Sequence, residues 1–163
     1  PTSMTWKLPG LYSLLNLYLL IAAPDSSRSE VTSIQVLRNF QSAPHVDGNN
    51  KGPSWVVSFG EHTGGGLWTL GEGGPRTSLC KLRVDVKGPR GNVLYKKGST
   101  HTGSILDTYR RPVQFDGNLL HFTAPVLTGT RYAIVFVCQK NSKCADAWCY
   151  ERILDKSGFS STV

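Results

Sequence analysis

Two residues with metal-binding side chains, His45 and Asp47, are separated by a single residue in the segment PHVDGNN. On an extended chain, side chains two residues apart point the same way, so this imidazole and this carboxylate can bind one metal ion. A second histidine, His121, would complete a set of two histidines and one carboxylate, which holds iron(II) and leaves one face of the ion open. A histidine in an apolar segment such as LLHFTAP is more often a buried core residue than a ligand, so His121 has two interpretations. The pattern predicts a metal site at these three residues.

Arg131 follows His121 across one predicted turn. An antiparallel hairpin would bring the two residues side by side, at the mouth of an apolar strand. A buried guanidinium needs an anionic partner, because an unpaired buried charge is very costly. Since a guanidinium binds a carboxylate through two parallel hydrogen bonds, we expect Arg131 to hold one carboxylate of a dicarboxylic co-substrate.

Short β-branched and aromatic segments, separated by glycine and proline, must position these side chains. Strands are predicted at residues 31–40, 54–60, 67–70, 79–86, 92–96, 113–115, 119–124 and 131–137, with a turn at 127–130. The segments 54–60 and 67–70 are predicted to form one hairpin, and 79–86 and 92–96 a second. Residues 98–109 have the weakest pattern. Seven or eight short strands predict a mainly β fold, a double-stranded β-helix or jelly roll.

The apolar segment at residues 11–23 predicts a helix, from about residue 9 to 23, that packs outside the sheets. Lys7 before it and two alanines at its end also resemble a signal peptide. The 163 residues predict a single domain with a core at about 31–137 and a tail at 139–163 containing a short helix near 145–154. No apolar run reaches the roughly 20 residues of a membrane span, so no membrane partner is expected. Four cysteines without paired C-x-x-C spacing are expected to be thiols, with at most one local bridge.

The net charge of +7 comes from one part of the chain. Residues 76–111 carry nine basic residues against two acidic ones, whereas the charges of the remaining residues balance. On a strand of period two, Lys81, Arg83 and Lys87 would share one outward face, which we name the basic ridge. A basic ridge either keeps a protein soluble or binds the phosphates of nucleic acid, and both interpretations stand.

Three segments together resemble the catalytic core of the 2-oxoglutarate and iron(II)-dependent dioxygenases: TSIQVLRNF, PHVDGNNKGPSWVVSFGEHTGGGLWTL and FDGNLLHFTAPVLTGTRYAIVFV. More narrowly, they are similar to the TET/JBP branch, the oxygenases of methylated pyrimidines in nucleic acid, including the algal and protist relatives. The resemblance covers about residues 31–137. It implies that His45, Asp47 and His121 bind Fe(II) as the catalytic centre and that Arg131 binds 2-oxoglutarate.

The resemblance also implies a reaction and a partner. Oxidative decarboxylation of 2-oxoglutarate would be coupled to oxidation of a methylated pyrimidine, with DNA favoured, and a base in a duplex must be extruded to be reached. Two alternatives remain: a protein hydroxylase of the prolyl-hydroxylase kind, and a catalytically silent jelly roll that binds nucleic acid through the basic ridge. A monomer is the default expectation, and a DNA substrate would imply a nuclear or other DNA-containing compartment.

Overall fold

The computed structural model describes residues 7–23, 31–71 and 76–140. Within these residues the protein is mainly β, with one N-terminal helix, α1 (Pro9–Ala22). The strands are β1 (Ser33–Arg38), β2 (Ser54–Phe59), β3 (His62–Gly64), β4 (Leu67–Leu70), β5 (Thr77–Lys81), β6 (Val86–Lys87), β7 (Val93–Tyr95), β8 (Thr100–Leu106), β9 (Val113–Phe115), β10 (His121–Thr123), β11 (Val126–Gly129) and β12 (Tyr132–Val137). The predicted helix at 145–154 lies outside the described residues.

Two four-stranded antiparallel sheets form most of the described structure. The first sheet has the order β1-β12-β2-β9, and the second has the order β10-β4-β8-β5. Two smaller antiparallel pairs, β3 with β11 and β6 with β7, complete the strand pairing. Neighbouring strands of the sheets are distant in the chain, so residues from separate parts of the chain meet at the site.

Strand β2 shows how side-chain alternation builds the core. Trp55 and Val57 pack on the face that α1 covers, where they contact Leu19 and Phe136. Val56 points to the opposite face and packs with Leu67 of the second sheet and Phe115 of β9, between the two sheets. Because the strand is buried on both faces, its central residues Trp55, Val56 and Val57 are all apolar rather than alternating between polar and apolar residues.

Helix α1 begins with a proline in its first turn, where the missing N–H removes no internal hydrogen bond. It buries Leu19, and the following Ala23 is buried as well, both against the outer face of the first sheet. The predicted helix outside the sheets is therefore confirmed. In the described part of the chain, no helix is both long and apolar enough to cross a membrane.

Several predicted strands and pairings differ from the structure. Residues 98–109, where the pattern was weakest, contain β8, the longest strand, and the predicted turn at 127–130 falls largely within β11. The predicted strand 79–86 is wrong in its second half, because the sheet strand ends at Lys81 and the next strand begins at Val86. The hairpin of residues 54–60 with 67–70 is wrong, since β4 pairs with β8 and β10 in the other sheet. The predicted hairpin of 79–86 with 92–96 holds only in part: β6 pairs with β7, whereas residues 79–81 belong to β5 and pair with β8.

Candidate metal centre

The backbone brings His45, Asp47 and His121 together from two distant parts of the chain. His45 and His121 form an antiparallel bridge in which each backbone N–H donates to the carbonyl of the other, both at 3.0 Å. The N–H of Asp47 donates to the carbonyl of Gly117 at 2.7 Å, in the turn that precedes β10. The loop after β1 is therefore fixed to the start of β10, which positions the three side chains.

The ligand atoms of the three side chains converge on one point. The Nε2 atom of His45 lies 3.5 Å from Oδ1 of Asp47, and Nε2 of His121 lies 3.7 Å from Oδ2 of the same carboxylate. One nitrogen or oxygen atom from each residue lies within 4.8 Å of the others, so the group could hold a metal ion. His121 is buried, whereas His45 and Asp47 are partly exposed.

Hydrogen bonds behind the imidazoles determine which nitrogen faces this point. The Nδ1 atom of His45 lies 2.8 Å from the carbonyl oxygen of Ala43, and Nδ1 of His121 lies 2.8 Å from that of Leu119. A carbonyl only accepts, so the neutral ring carries its proton on Nδ1 and leaves the lone pair of Nε2 for a metal. Backbone carbonyls commonly orient metal-binding histidines in this way.

The Asp47 carboxylate is oriented in turn by Asn50, which is buried. The Asn50 side-chain amide donates to Oδ2 of Asp47 at 3.0 Å and lies at the same distance from the hydroxyl of Ser54. The absence of a side chain at Gly117 leaves space for this Asp47–Asn50 contact. A Cβ at that position would lie 2.7 Å from Oδ2 of Asp47 and 2.6 Å from the Asn50 amide nitrogen. Neither Asn50 nor Gly117 is among the predicted site residues, although both lie in the segments that carry the resemblance, PHVDGNN and FDGNLLH.

The pKa values of the two histidines shift in opposite directions. The interaction with Asp47 raises the pKa of His45 despite its partial burial, whereas burial lowers the pKa of His121. Burial by itself would raise the pKa of Asp47, but the contact with His45 and the charges of both histidines lower it below the usual value. At neutral pH the centre therefore offers an ionised carboxylate beside imidazoles of differing basicity.

The three residues line a cavity of about 410 Å³ between the two sheets. Arg131 lines the same cavity and is only 2 % exposed. Its Nε atom has no hydrogen-bond partner, and no carboxylate among the described residues forms an ion pair with its guanidinium. Burial lowers the pKa of Arg131. An unpaired cation at such depth indicates a binding position for an anion.

Arg131 reaches the cavity differently from the prediction. The hairpin that would have placed it beside His121 is wrong: β10 pairs with β4, while β12 pairs with β1 and β2. His121 and Arg131 thus line the cavity from different sheets. The backbone of Arg131 is held by Asn39, whose side-chain oxygen accepts its N–H at 2.7 Å and whose N–H donates to its carbonyl at 2.8 Å.

The remaining candidate residues lie elsewhere. Lys81, Arg83 and Lys87 are exposed and do not line the cavity. The single strand that would align them is absent, since Leu82 and Val86 are buried but Val84 between them is 62 % exposed. Additional polar residues of the cavity wall that the sequence did not single out are Ser42, Thr123 and Gln139.

Comparisons with known proteins add no relative. The chain matches no family model, and no curated protein matches it. The resemblance to the dioxygenases therefore depends on the motif residues, and the geometry of the site carries the functional argument.

Proposed function

We propose that this protein is an Fe(II) and 2-oxoglutarate-dependent dioxygenase. The observation that carries the proposal is that one cavity contains both a two-histidine, one-carboxylate group and a buried, unpaired guanidinium. The donor set suits iron(II), for which two imidazoles and one carboxylate leave positions for a co-substrate. His45, Asp47 and His121 would hold the metal, and Arg131 would bind the distal carboxylate of 2-oxoglutarate.

Charge balance supports a dicarboxylate in this cavity. A divalent cation bound to Asp47 and two neutral imidazoles retains one positive charge, and Arg131 adds a second. The two carboxylates of 2-oxoglutarate would neutralise both charges, one at the metal and one at the guanidinium. A monocarboxylate would leave one buried charge uncompensated, which is costly.

The strand arrangement supports a double-stranded β-helix, or jelly roll, as the fold. The chain passes between the two sheets repeatedly: β2 and β9 belong to one sheet, and β4, β8 and β10 to the other. The bridge between His45 and His121 extends the second sheet beyond β10. Two facing four-stranded antiparallel sheets connected in this way are the architecture of a jelly roll.

When bound, iron(II) and 2-oxoglutarate supply oxidising chemistry: with dioxygen, the keto acid is converted to succinate and carbon dioxide, and a substrate C–H group gains one oxygen atom. The protein's own contribution is positional. Asn50 and the two backbone carbonyls keep the ligand atoms in place, and Asn39 holds the backbone of Arg131. Val56, Leu67 and Phe115 form an apolar part of the cavity wall between the sheets.

For the substrate we propose a methylated pyrimidine in nucleic acid, with DNA favoured. A cavity of about 410 Å³ is in the range of ordinary ligand sites, so it has room for a co-substrate and part of an extruded base. The exposed cations Lys81, Arg83 and Lys87 supply charge that complements phosphate.

The test is to incubate the protein with Fe(II), 2-oxoglutarate and DNA, with and without methylated cytosine, and to measure succinate and the nucleosides by mass spectrometry. We expect succinate formation together with a methylated nucleoside that has gained oxygen, and neither product with Asp47→Ala. Succinate coupled instead to hydroxylation of a proline-containing peptide would replace the nucleic-acid substrate with a protein. Absence of both iron binding and succinate would refute the dioxygenase.

A further inference from the structure

The β6–β7 hairpin lies directly against the loop that carries the metal ligands. A Cβ at Gly48 would lie 2.4 Å from Cβ of Pro89, so the tip of the hairpin packs on the residue that follows Asp47. Gly48 itself lines the cavity. Val46, between the two ligands, packs against the buried cluster that contains Val86 at the start of the hairpin. The hairpin therefore packs on the loop that lines the cavity, although none of its own residues lines it.

Several backbone hydrogen bonds give this hairpin a defined conformation. The N–H of Gly88 donates to the carbonyl of Asn92, and the N–H of Gly91 donates to that of Gly88. The carboxylate of Asp85 accepts the backbone N–H of Lys97 at 2.7 Å. The backbone of this element consequently has a defined position relative to the metal loop.

The charge on this element is almost entirely positive. Between residues 81 and 97, Asp85 is the only acidic residue. Six exposed cations accompany it: Lys81, Arg83, Lys87, Arg90, Lys96 and Lys97. In the described parts of the chain, no carboxylate forms a salt bridge with any of the six. The exposed Asp116 adds a negative charge near His121.

The distribution of these cations indicates the type of anion. They are spread over an exposed two-stranded element rather than gathered in a pocket, which suits an extended polyanion better than a single small anion. A phosphodiester backbone has this geometry, with its charges at regular intervals along the strand. The hairpin tip also packs on the loop that carries His45 and Asp47, so a strand bound there would lie beside the metal centre.

We propose that the β6–β7 hairpin and its flanks, residues 81–97, form the surface that binds the phosphodiester backbone of the nucleic-acid substrate. Lys87 and Arg90, nearest the tip that packs on Gly48, contact the phosphates beside the nucleotide that enters the cavity. The inference rests on the proposed function in its choice of nucleic acid. It adds Arg90, Lys96 and Lys97 to the three cations predicted from the sequence, Lys81, Arg83 and Lys87.

The experiment measures binding of a fluorescein-labelled DNA duplex by anisotropy, without iron, over a range of salt concentrations. The double variant Lys87→Ser/Arg90→Ser should lower the slope of log affinity against log salt by about two, one for each lost phosphate contact. The affinity should fall on the order of tenfold at moderate salt. The single variant Arg90→Lys should keep most of the slope of the unmodified protein, because a phosphate contact needs the charge.

The matched control is Arg110→Ser/Arg111→Ser, which removes the same charge elsewhere. Arg110 pairs with Glu61, and Arg111 lines a separate cavity beside α1 and Trp55. The control should leave the slope unchanged. Equal effects of the two double variants, or no binding of DNA by the unmodified protein, would overturn the proposal.

Failure of this proposal is distinguishable from failure of the dioxygenase. Succinate formed from 2-oxoglutarate without DNA reports the iron site alone, and the hairpin variants should leave it unchanged. A protein that forms succinate but does not bind DNA loses the hairpin proposal and keeps the co-substrate chemistry. A protein that binds DNA through the hairpin but forms no succinate has the opposite outcome.

Discussion

At the scale of single residues, the candidate centre depends on groups that form hydrogen bonds with the three candidate ligand side chains and orient them. The carbonyls of Ala43 and Leu119 fix the imidazole tautomers, and Asn50 fixes the carboxylate. None of these contacts follows from the H-x-D motif, which predicts only that two ligand side chains point the same way. They also show why His121 is more than a core histidine: its buried ring turns Nε2 toward Asp47 rather than toward an apolar neighbour.

Gly117→Ala tests this support without removing a ligand. The added methyl group would lie 2.7 Å from Oδ2 of Asp47, so the carboxylate must move. We expect Fe(II) affinity to fall by about ten- to hundredfold, as for the loss of a supporting contact in other metal sites. Anaerobic calorimetry measures it, with Gly10→Ala as control because a Cβ there meets no atom within 4 Å. Unchanged affinity would show that the centre does not need the observed carboxylate position.

Metal affinity should depend on pH through His45. The pKa of His45 is raised from 6.5, so without metal its protonated form stabilises the fold fully below about pH 6.5, and that contribution is lost as pH rises through the raised pKa. A metal ion needs the neutral ring and must displace this proton, whereas His121, with a lowered pKa, is already neutral in that range. Below the pKa of His45, affinity should therefore fall about tenfold for each pH unit. Titrations at several pH values measure it, and a flat profile would exclude His45 as a ligand.

Arg131→Lys distinguishes co-substrate binding from a structural role. Lysine keeps the charge but cannot form the bidentate pair of hydrogen bonds that a guanidinium makes with a carboxylate. The KM for 2-oxoglutarate should rise about ten- to hundredfold, while iron affinity stays unchanged. The control is Arg38→Lys, at an exposed arginine that does not line the cavity. An unchanged KM, or a protein that no longer folds, would make Arg131 a structural residue.

At the scale of elements, the sequence predicted best where apolar runs are long. The helix and the strands around Val57 and Ile134 follow directly from such runs. Strand β8 was missed because its sequence THTGSIL contains few apolar residues and an internal glycine. The structure explains that glycine, since a Cβ at Gly103 would lie 2.3 Å from the ring of Trp68. A requirement set by a neighbouring strand cannot be detected in the segment itself.

Strand pairing was the least predictable feature of the site. Local reasoning joined consecutive segments into hairpins, whereas β10 and β12 belong to different sheets. The predicted hairpin between them is absent, but His121 and Arg131 still line one cavity, because both face the space between the two sheets. The ligand set could be identified from residue types and spacing, but the direction from which Arg131 approaches could not.

The packing of α1 on the first sheet gives a prediction about stability. Leu19 is 3 % exposed and contacts the buried side chains of that sheet, whereas Leu20 is 47 % exposed. Leu19→Ala should lower the free energy of unfolding by about 2–5 kcal/mol, and Leu20→Ala by less than about 0.5 kcal/mol. Urea denaturation of the two variants compares the same substitution one residue apart. Equal effects would contradict the observed orientation of the helix.

At the scale of the whole molecule, the structure separates three surfaces. One face of the first sheet is covered by α1, and its other face forms the cavity with the second sheet. The unpaired cations of residues 81–97 lie beside the loop that carries the metal ligands. The candidate metal group and Arg131 line the cavity, and the cations of residues 81–97 lie outside it. The central claim of the proposal is that His45, Asp47 and His121 bind a metal that in turn recruits the co-substrate.

The measurement that tests this claim most directly is an anaerobic titration with Fe(II), followed by 2-oxoglutarate, of the unmodified protein, Asp47→Ala and Asp116→Ala. We expect one Fe(II) per chain in the unmodified protein and in Asp116→Ala, and 2-oxoglutarate binding that requires the metal. Asp47→Ala should lose both while its far-ultraviolet circular dichroism stays unchanged, because this loop contributes little to the core. Iron and 2-oxoglutarate binding by Asp47→Ala equal to that of the unmodified protein would contradict the account.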